Sequence, residues 1–547
     1  MLRKLTIVAL VIASGCFTAQ YKKTTAPERP KLVVGLVIDQ MRWDYLYRYY
    51  EKYEEGGFKR LLSQGYSLNN VHINYLPTYT AIGHTSIYTG SVPAIHGISG
   101  NDWFDKSTGK NVYCTGDETV QPVGTGNLKN GSHSPRNLWS TTISDELRLA
   151  TNFQSKVIGV SLKDRASILP AGHNPNGAYW YDDSTGNFIT STYYRNDLPA
   201  WVSGFNKSKV GDQLVKNGWN TILPIAQYTE SSRDNSPWEG LLGSATTPTF
   251  PYNNLAADYQ KDKGLIRSTP FGNTLTLQLA QAAVQGEELG ADAVTDFLAI
   301  NLASTDYAGH RFGPNSIEVQ DVYLRLDRDL AAFFKYLDKT VGDGQYTVFL
   351  SADHGGAHSQ GFLAENKLPT GFFGEGSLKN FNELLKQKFG TDKLVSRVTN
   401  NQIYLDENLH TANKLKIEEV KQYLIDYLNK DKSVLFAVDM KKAASASIPE
   451  PIRTRIVNGY NWQRSGDIQL IYHDSWLPSY SKTGTTHGSW NSYDSHIPLI
   501  FMGWGVKPGK SNKSYDMTDI APTLAALLHI QFPSGNIGNP ITEVIGK

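Results

Sequence analysis

Cysteine is nearly absent: Cys16 and Cys114 are the only two in 547 residues. Cys16 falls in an N-terminal stretch with the layout of an export signal, so after its removal one thiol remains and no internal disulfide can form. An excess of either charge is also lacking, with 53 Lys and Arg against 52 Asp and Glu. That balance gives no sign of a nucleic acid partner or an acidic membrane surface. Long apolar runs are missing as well. The run Leu5–Ala13 follows Arg3 and Lys4, precedes small residues, and is too short to span a bilayer. It reads as a secretory signal over residues 1–19, and cleavage near Ala19 would leave residues 20–547 as a soluble periplasmic or secreted protein. "ASGC" offers a weaker lipoprotein site that would anchor Cys16. No transmembrane segment, internal repeat or clear linker is evident. An exported chain of this size without disulfides must rely on its core and on bound metal.

What is present is alternation. "KLVVGLVID" (31–39), "SKVIGVSL" (155–162), "DFLAINLAS" (296–304), "TVFLSAD" (347–353), "DIQLIYH" (467–473) and "IPLIFMG" (497–503) are continuous apolar runs of strand length, expected where a sheet is covered on both faces. Between the third and fourth, Val322, Leu326, Leu330, Phe333 and Leu337 fall on one helical face. The pattern predicts an α/β fold with a mainly parallel central sheet and helices on both faces. Residues 105–150 and 175–270, rich in Gly, Ser, Asn, Pro and aromatics, read as loop-rich insertions. Residues 365–465 mix helical signals such as "IEEVKQYLIDYLNK" with short strands such as "NQIYL" and read as an inserted α+β subdomain.

In open α/β sheets the working face lies beyond the carboxyl ends of the strands. Three apolar runs deliver an aspartate there: Asp39, Asp306 and Asp353. His310 follows Asp306 by four residues, His354 follows Asp353 directly, and His487 precedes another strand. Crowded carboxylates repel and take up protons unless cations intervene. Carboxylates interspersed with imidazoles form the donor set that zinc prefers in sites left partly open for chemistry. Taken singly, an Asp after a strand is a common helix N-cap and a lone His is commonly structural; the constellation carries the metal reading. "YLPTYTAIGHTSIYTG" (75–90) puts Thr78 and Thr80 just before a helix. A threonine hydroxyl on zinc, at a helix N-terminus, can become an alkoxide nucleophile.

At these residues the chain resembles the alkaline phosphatase superfamily, closest to the phosphate-irrepressible alkaline phosphatases of the PafA type. The matching segments are "VIDQMRWDYL" with Asp39, "PTYTAIGHTS" with Thr80, "HGISGND" with Asn101, "SLKDRASIL" with Lys163 and Arg165, "STDYAGHRFGP" with Asp306 and His310, "SADHGG" with Asp353 and His354, and "THGSWNSYDSHIPLIFMG" with His487. The closing "YDMTDIAPTLAALLHI" is similar to the family's last helix. The resemblance implies two Zn2+ per chain, one on Asp306, His310 and His487 and the other on Asp39, Asp353, His354 and Thr80. It implies that Asn101, Lys163 and Arg165 hold phosphoryl oxygens and that a covalent phosphothreonine forms on Thr80.

Formal charge counting then favours phosphate monoesters as small-molecule substrates. Two zinc ions are balanced by Asp39, Asp306, Asp353 and a Thr80 alkoxide, so Lys163 and Arg165 remain to match a dianion. The Lys163-Asp164-Arg165 triplet could equally be a solvated turn, but it follows a buried strand. Thr80 is followed by "AIGHT", which excludes the sulfatase motif. No magnesium ligand set is evident and no Mg2+ site is expected, since the Lys163 ammonium could stand where that cation would sit. His84 is expected to orient the nucleophile helix, and His96 and His358 are read as structural.

The rival enzyme reading is a two-zinc phosphodiesterase of the nucleotide pyrophosphatase/phosphodiesterase type. A binding protein that kept the fold would have lost ligands or nucleophile, and here all are present. A monomer is expected. Thr80→Ala is predicted to keep zinc bound while abolishing the phosphoenzyme, checked by metal analysis beside mass spectrometry of acid-quenched turnover; full activity in that variant would place the nucleophile elsewhere.

Overall fold

The computed structural model describes residues 28–374, 378–478 and 482–545. The export signal and Cys16 lie outside the described residues. Eight strands build most of an eleven-stranded central sheet: β1 Leu32–Ile38, β2 Tyr66–His72, β3 Val157–Ser161, β4 Gly177–Asp182, β5 Asn187–Ser191, β6 Asp296–Leu302, β7 Tyr346–Ser351 and β8 His496–Gly503. Across the sheet they run β2-β8-β7-β1-β6-β3-β4-β5. Strands β7, β1, β6, β3 and β4 are parallel to one another, while β8 runs antiparallel to both β7 and β2, and β5 to β4. The sheet is therefore parallel at its centre and mixed towards its edges.

All seven residues of β1 are buried, which requires cover on both faces. Helices α1 Thr80–Thr89, α2 Asp164–Ala171, α3 Pro270–Gly286, α4 Ser304–Phe312, α5 Ile317–Leu337 and α6 Ile520–Leu528 take part in that cover. The predicted stripe of α5, Val322, Leu326, Leu330, Phe333 and Leu337, is buried throughout. Ser316 caps the helix by accepting from the Val319 N–H at 3.1 Å.

Two expectations need correction. The apolar run at 467–473 does not join the central sheet. Ile468–Tyr472 pairs antiparallel with Gln402–Leu405 and Val434–Asp439 in a separate four-stranded sheet completed by Val395–Thr399. That sheet packs on its own apolar cluster, including Phe381, Leu385, Val420 and Leu424, and so extends past residue 465. A continuous apolar run reports burial on both faces but not which strands it pairs with. Within 175–270, read as loop-rich, β4 and β5 extend the central sheet. β4 is short and built on aromatics, "GAYWYD", so it lacks the aliphatic run that marked its neighbours.

Helix α1 lies directly on the end of β7. A Cβ at Gly83 would stand 2.6 Å from the Asp353 Cβ and also meet the Asp353 carbonyl, so only glycine lets the helix come this close. Gly83→Ala is predicted to push α1 away from Asp353, costing about 1–3 kcal/mol of stability and most of the turnover rate. Thermal unfolding and steady-state kinetics on the same preparation check both effects.

Candidate active site

Four adjacent parallel strands deliver the site from one edge of the sheet. Asp39 follows β1 and Asp353 stands two residues beyond β7, while Asp306 lies in the first turn of α4 after β6 and Lys163 is the N-cap residue of α2 after β3. Their side chains converge in the interior. Lys163 Nζ lies 2.9 Å from Asp39 Oδ2, 2.6 Å from Asp306 Oδ2 and 3.4 Å from Thr80 Oγ1. Thr80 opens α1, where the helix N-terminus favours negative charge on its oxygen. His354 Nε2 is also 3.4 Å from Thr80 Oγ1.

The three histidines share one arrangement. His310 Nδ1 is 2.8 Å from the Thr485 carbonyl, His354 Nδ1 is 2.9 Å from the Gly355 carbonyl, and His487 Nδ1 is 2.7 Å from the Thr78 carbonyl. A carbonyl only accepts, so each Nδ1 carries a proton and each Nε2 is the ring atom turned toward the carboxylates. This is how metal-binding imidazoles are held by their surroundings. His354 Nε2 is 3.3 Å from Asp353 Oδ2 and 3.7 Å from Asp39 Oδ1. His310 Nε2 is 3.1 Å and His487 Nε2 3.8 Å from Asp306 Oδ1.

Donor atoms of Asp39, Asp353 and His354 lie within 4.8 Å of one another, as do those of Asp306, His354 and His487. His354 thus belongs to both groups, its ring stacked on His487 at 3.5 Å, with the His310 ring 5.1 Å from that of His487. His310 enters through Asp306, one helical turn earlier on α4.

Charge tests whether metal fits. Three buried carboxylates face a single ammonium, which leaves two negative charges uncompensated if all are ionised. Asp39 Oδ1 and Asp353 Oδ2 are buried without a hydrogen-bond donor. Burial, and then the neighbouring Asp353, push Asp39 up to about 6. Asp306 and Asp353 are instead held low. Burial opposes their ionisation, but His310 and Lys163 beside Asp306, and His354 and His84 beside Asp353, outweigh it. Burial and then the neighbouring His354 and His310 keep His487 well below its usual range, as a neutral donor. Burial opposes a proton on His310, but Asp306 beside it raises that imidazole's pKa, so a proton and a metal ion compete for its Nε2. Unpaired carboxylate oxygens and imidazole nitrogens on one centre suit a divalent cation of the zinc type.

Asn101 Oδ1 accepts from the Ala81 N–H at 3.0 Å, so the side-chain oxygen is engaged at the start of α1 and the NH2 group is the part left to donate. Arg165 NH1 donates to the Tyr113 hydroxyl at 3.1 Å, and its Nε is buried without a partner. His84 Nδ1 donates to the Thr80 carbonyl at 3.0 Å within α1 and stands 3.4 Å from Asp353 Oδ2.

Gln40 was not singled out from the sequence. Its side-chain NH2 donates to Asp306 Oδ1 at 2.6 Å and its backbone N–H to Asp353 Oδ1 at 3.2 Å, so one residue holds an acid from each group. It does so at φ 60°, a backbone state costly for a residue with a Cβ and typical of functional sites. A long polar residue after the strand-end Asp39 was the available signal. Asn301, 3.2 Å from Asp39 Oδ2, was missed as well; it is the polar interruption in the apolar run of β6.

A family model described as type I phosphodiesterase / nucleotide pyrophosphatase matches residues 33–494. The chain is 66% identical over 541 residues to Alkaline phosphatase PafA of Elizabethkingia meningoseptica, covering 99% of each. It is 56% identical to a Calcium-transporting ATPase of Myroides odoratus, covering 95% of each. With Alkaline phosphatase PhoV of Synechococcus elongatus it shares 53% identity, covering 94% of this chain and 93% of that protein. The crystal structure of wild-type alkaline phosphatase PafA superposes with a TM-score of 0.94 at 67% identity, over 95% of this chain and 100% of that one.

The unpaired acids predict a metal-dependent fold. Chelation is expected to lower Tm by several degrees, and added zinc to restore it to about two equivalents per chain, read by calorimetry with metal analysis. An unchanged Tm after complete metal removal would contradict this.

Proposed function

The chain belongs to the type I phosphodiesterase / nucleotide pyrophosphatase family of the alkaline phosphatase superfamily, and from that premise we propose that it is an exported zinc-dependent alkaline phosphatase. In this reading it hydrolyses phosphate monoesters through a phosphothreonine on Thr80 and releases inorganic phosphate. Two relatives that match nearly end to end, at 66% and 53% identity, carry the name alkaline phosphatase. The observation that carries the chemistry is the pair of cationic residues opening α2, of which Lys163 Nζ stands 3.4 Å from the nucleophile oxygen.

Asp39, Asp353, His354 and Thr80 would hold one zinc, and Asp306, His310 and His487 the other. The bound ions would supply Lewis-acid stabilisation of the attacking and leaving oxygens and would lower the pKa of water. Thr80 Oγ1 attacks phosphorus in line, the bond to the ester oxygen breaks, and the alcohol departs. Water then attacks the phosphothreonine, and phosphate leaves as the Thr80 oxygen is regained. Asn101 donates its free NH2 to a phosphoryl oxygen, while Lys163 and Arg165 offset the dianion. His84 steadies Thr80 through its carbonyl. Lys163 takes the place of a third cation, so no Mg2+ is invoked.

A diester presents one negative charge and gains less from the two cations, so the phosphodiesterase reading is not favoured. Of the name Calcium-transporting ATPase, hydrolysis of a phosphate bond is the part this chemistry accommodates. Among the described residues no helix is long and apolar enough to cross a membrane. Export rests on the N-terminal segment, and a monomer acting on small-molecule esters is proposed.

The test is kcat/KM for p-nitrophenyl phosphate against its methyl diester on zinc-loaded protein. A ratio well above one is expected, and Arg165→Ala should lower it by about tenfold or more. A wild-type ratio below one would make the chain a diesterase.

A further inference from the structure

Arg165 has an unusual anchor. Among the described residues no ion pair joins its guanidinium to a carboxylate, although Asp164 is its neighbour in the chain. The contact runs through a phenol instead. The Tyr113 hydroxyl accepts from Arg165 NH1 at 3.1 Å and donates to Asp164, at 2.9 Å from Oδ1 and 3.1 Å from Oδ2. Thr115 Oγ1 donates to the same Asp164 Oδ1 at 2.8 Å, and His133 Nε2 stands 3.9 Å from Oδ2. A hydroxyl has one proton, and the carboxylate takes it, so the lone pairs of the phenol face the arginine. Burial, and then Asp164, push the Tyr113 pKa well above its usual value, which keeps the hydroxyl protonated.

We infer that Tyr113 is a positioning residue for substrate binding: it fixes the Arg165 guanidinium while keeping the Asp164 carboxylate one hydroxyl away, so that no carboxylate takes up the arginine's donors directly and they stay available to a phosphoryl dianion. A carboxylate bound directly to Arg165 would orient it equally well but would occupy its donors and offset more of the charge that distinguishes a monoester from a diester. The inference rests on the proposed role of Arg165 as a phosphoryl binder. Tyr113 and Asp164 also line a cavity of about 910 Å³, so water can replace a lost hydroxyl and the penalty should stay moderate.

The experiment is a double-mutant cycle of Tyr113→Phe and Arg165→Ala, with kcat/KM measured on p-nitrophenyl phosphate and its methyl diester using zinc-loaded enzyme. Tyr113→Phe is expected to lower monoester hydrolysis about tenfold and diester hydrolysis by about threefold at most. In the Arg165→Ala background it should change monoester hydrolysis by less than about twofold. Asp164→Asn, which weakens the acceptor for Tyr113, should show the same selectivity at smaller size and serves if Tyr113→Phe is poorly folded. Equal losses on both substrates, or an undiminished effect of Tyr113→Phe when Arg165 is absent, would overturn the inference and leave the role of Arg165 standing. Arg165→Ala falling equally on both substrates would instead remove that role, and this inference with it.

Discussion

Three aspartates buried at the ends of neighbouring strands, with one ammonium among them, are the constraint on which the rest depends. Water is excluded, so their repulsion must be met by fixed positive charge or by protons. Lys163 meets part of it, bridging Asp39 and Asp306. The remainder explains the three imidazoles whose Nε2 atoms face the acids and the two carboxylate oxygens without partners. A site that holds unpaired acids apart in this way is organised for cations before any substrate arrives.

The same constraint reaches outward through the backbone. The carbonyls of Thr78, Gly355 and Thr485 set the imidazole tautomers. The loop that orients His487 through Thr78 therefore also leads into the nucleophile helix. Gly83 allows that helix to rest on Asp353, with the His84 ring beside the same carboxylate. The proposed nucleophile and ligands are thus parts of one packed edge, which is what positional catalysis requires. In the proposed reading α2 adds specificity through Lys163 and Arg165, and the Tyr113 hydroxyl stands between the Arg165 guanidinium and the Asp164 carboxylate.

Much of this was legible in the chain itself. Continuous aliphatic runs ending in aspartate identify buried parallel strands and their working edge together, because burial on both faces suppresses alternation and the edge is where polar residues resume. Thr80 could be placed at a helix start from its flanking pattern. Strand pairing was less legible: Ile468–Tyr472 has the composition of a central strand but lies in the smaller sheet, and the aromatic β4 carried no aliphatic signature. Carbonyl acceptors are invisible in sequence because every residue has one. Gln40 acts through a left-handed backbone and two different atoms, and no residue type announces that. Tyr113 could not be linked to Arg165 because the pairing arises from a turn of the fold, not from spacing.

Anomalous diffraction at the zinc edge from crystals of the zinc-loaded protein tests the central claim most directly. Two peaks are predicted, one bounded by Asp39, Asp353 and His354 with Thr80 adjacent, and one bounded by Asp306, His310 and His487. Absence of zinc density at this cluster, with the carboxylates paired only to Lys163, would contradict the account.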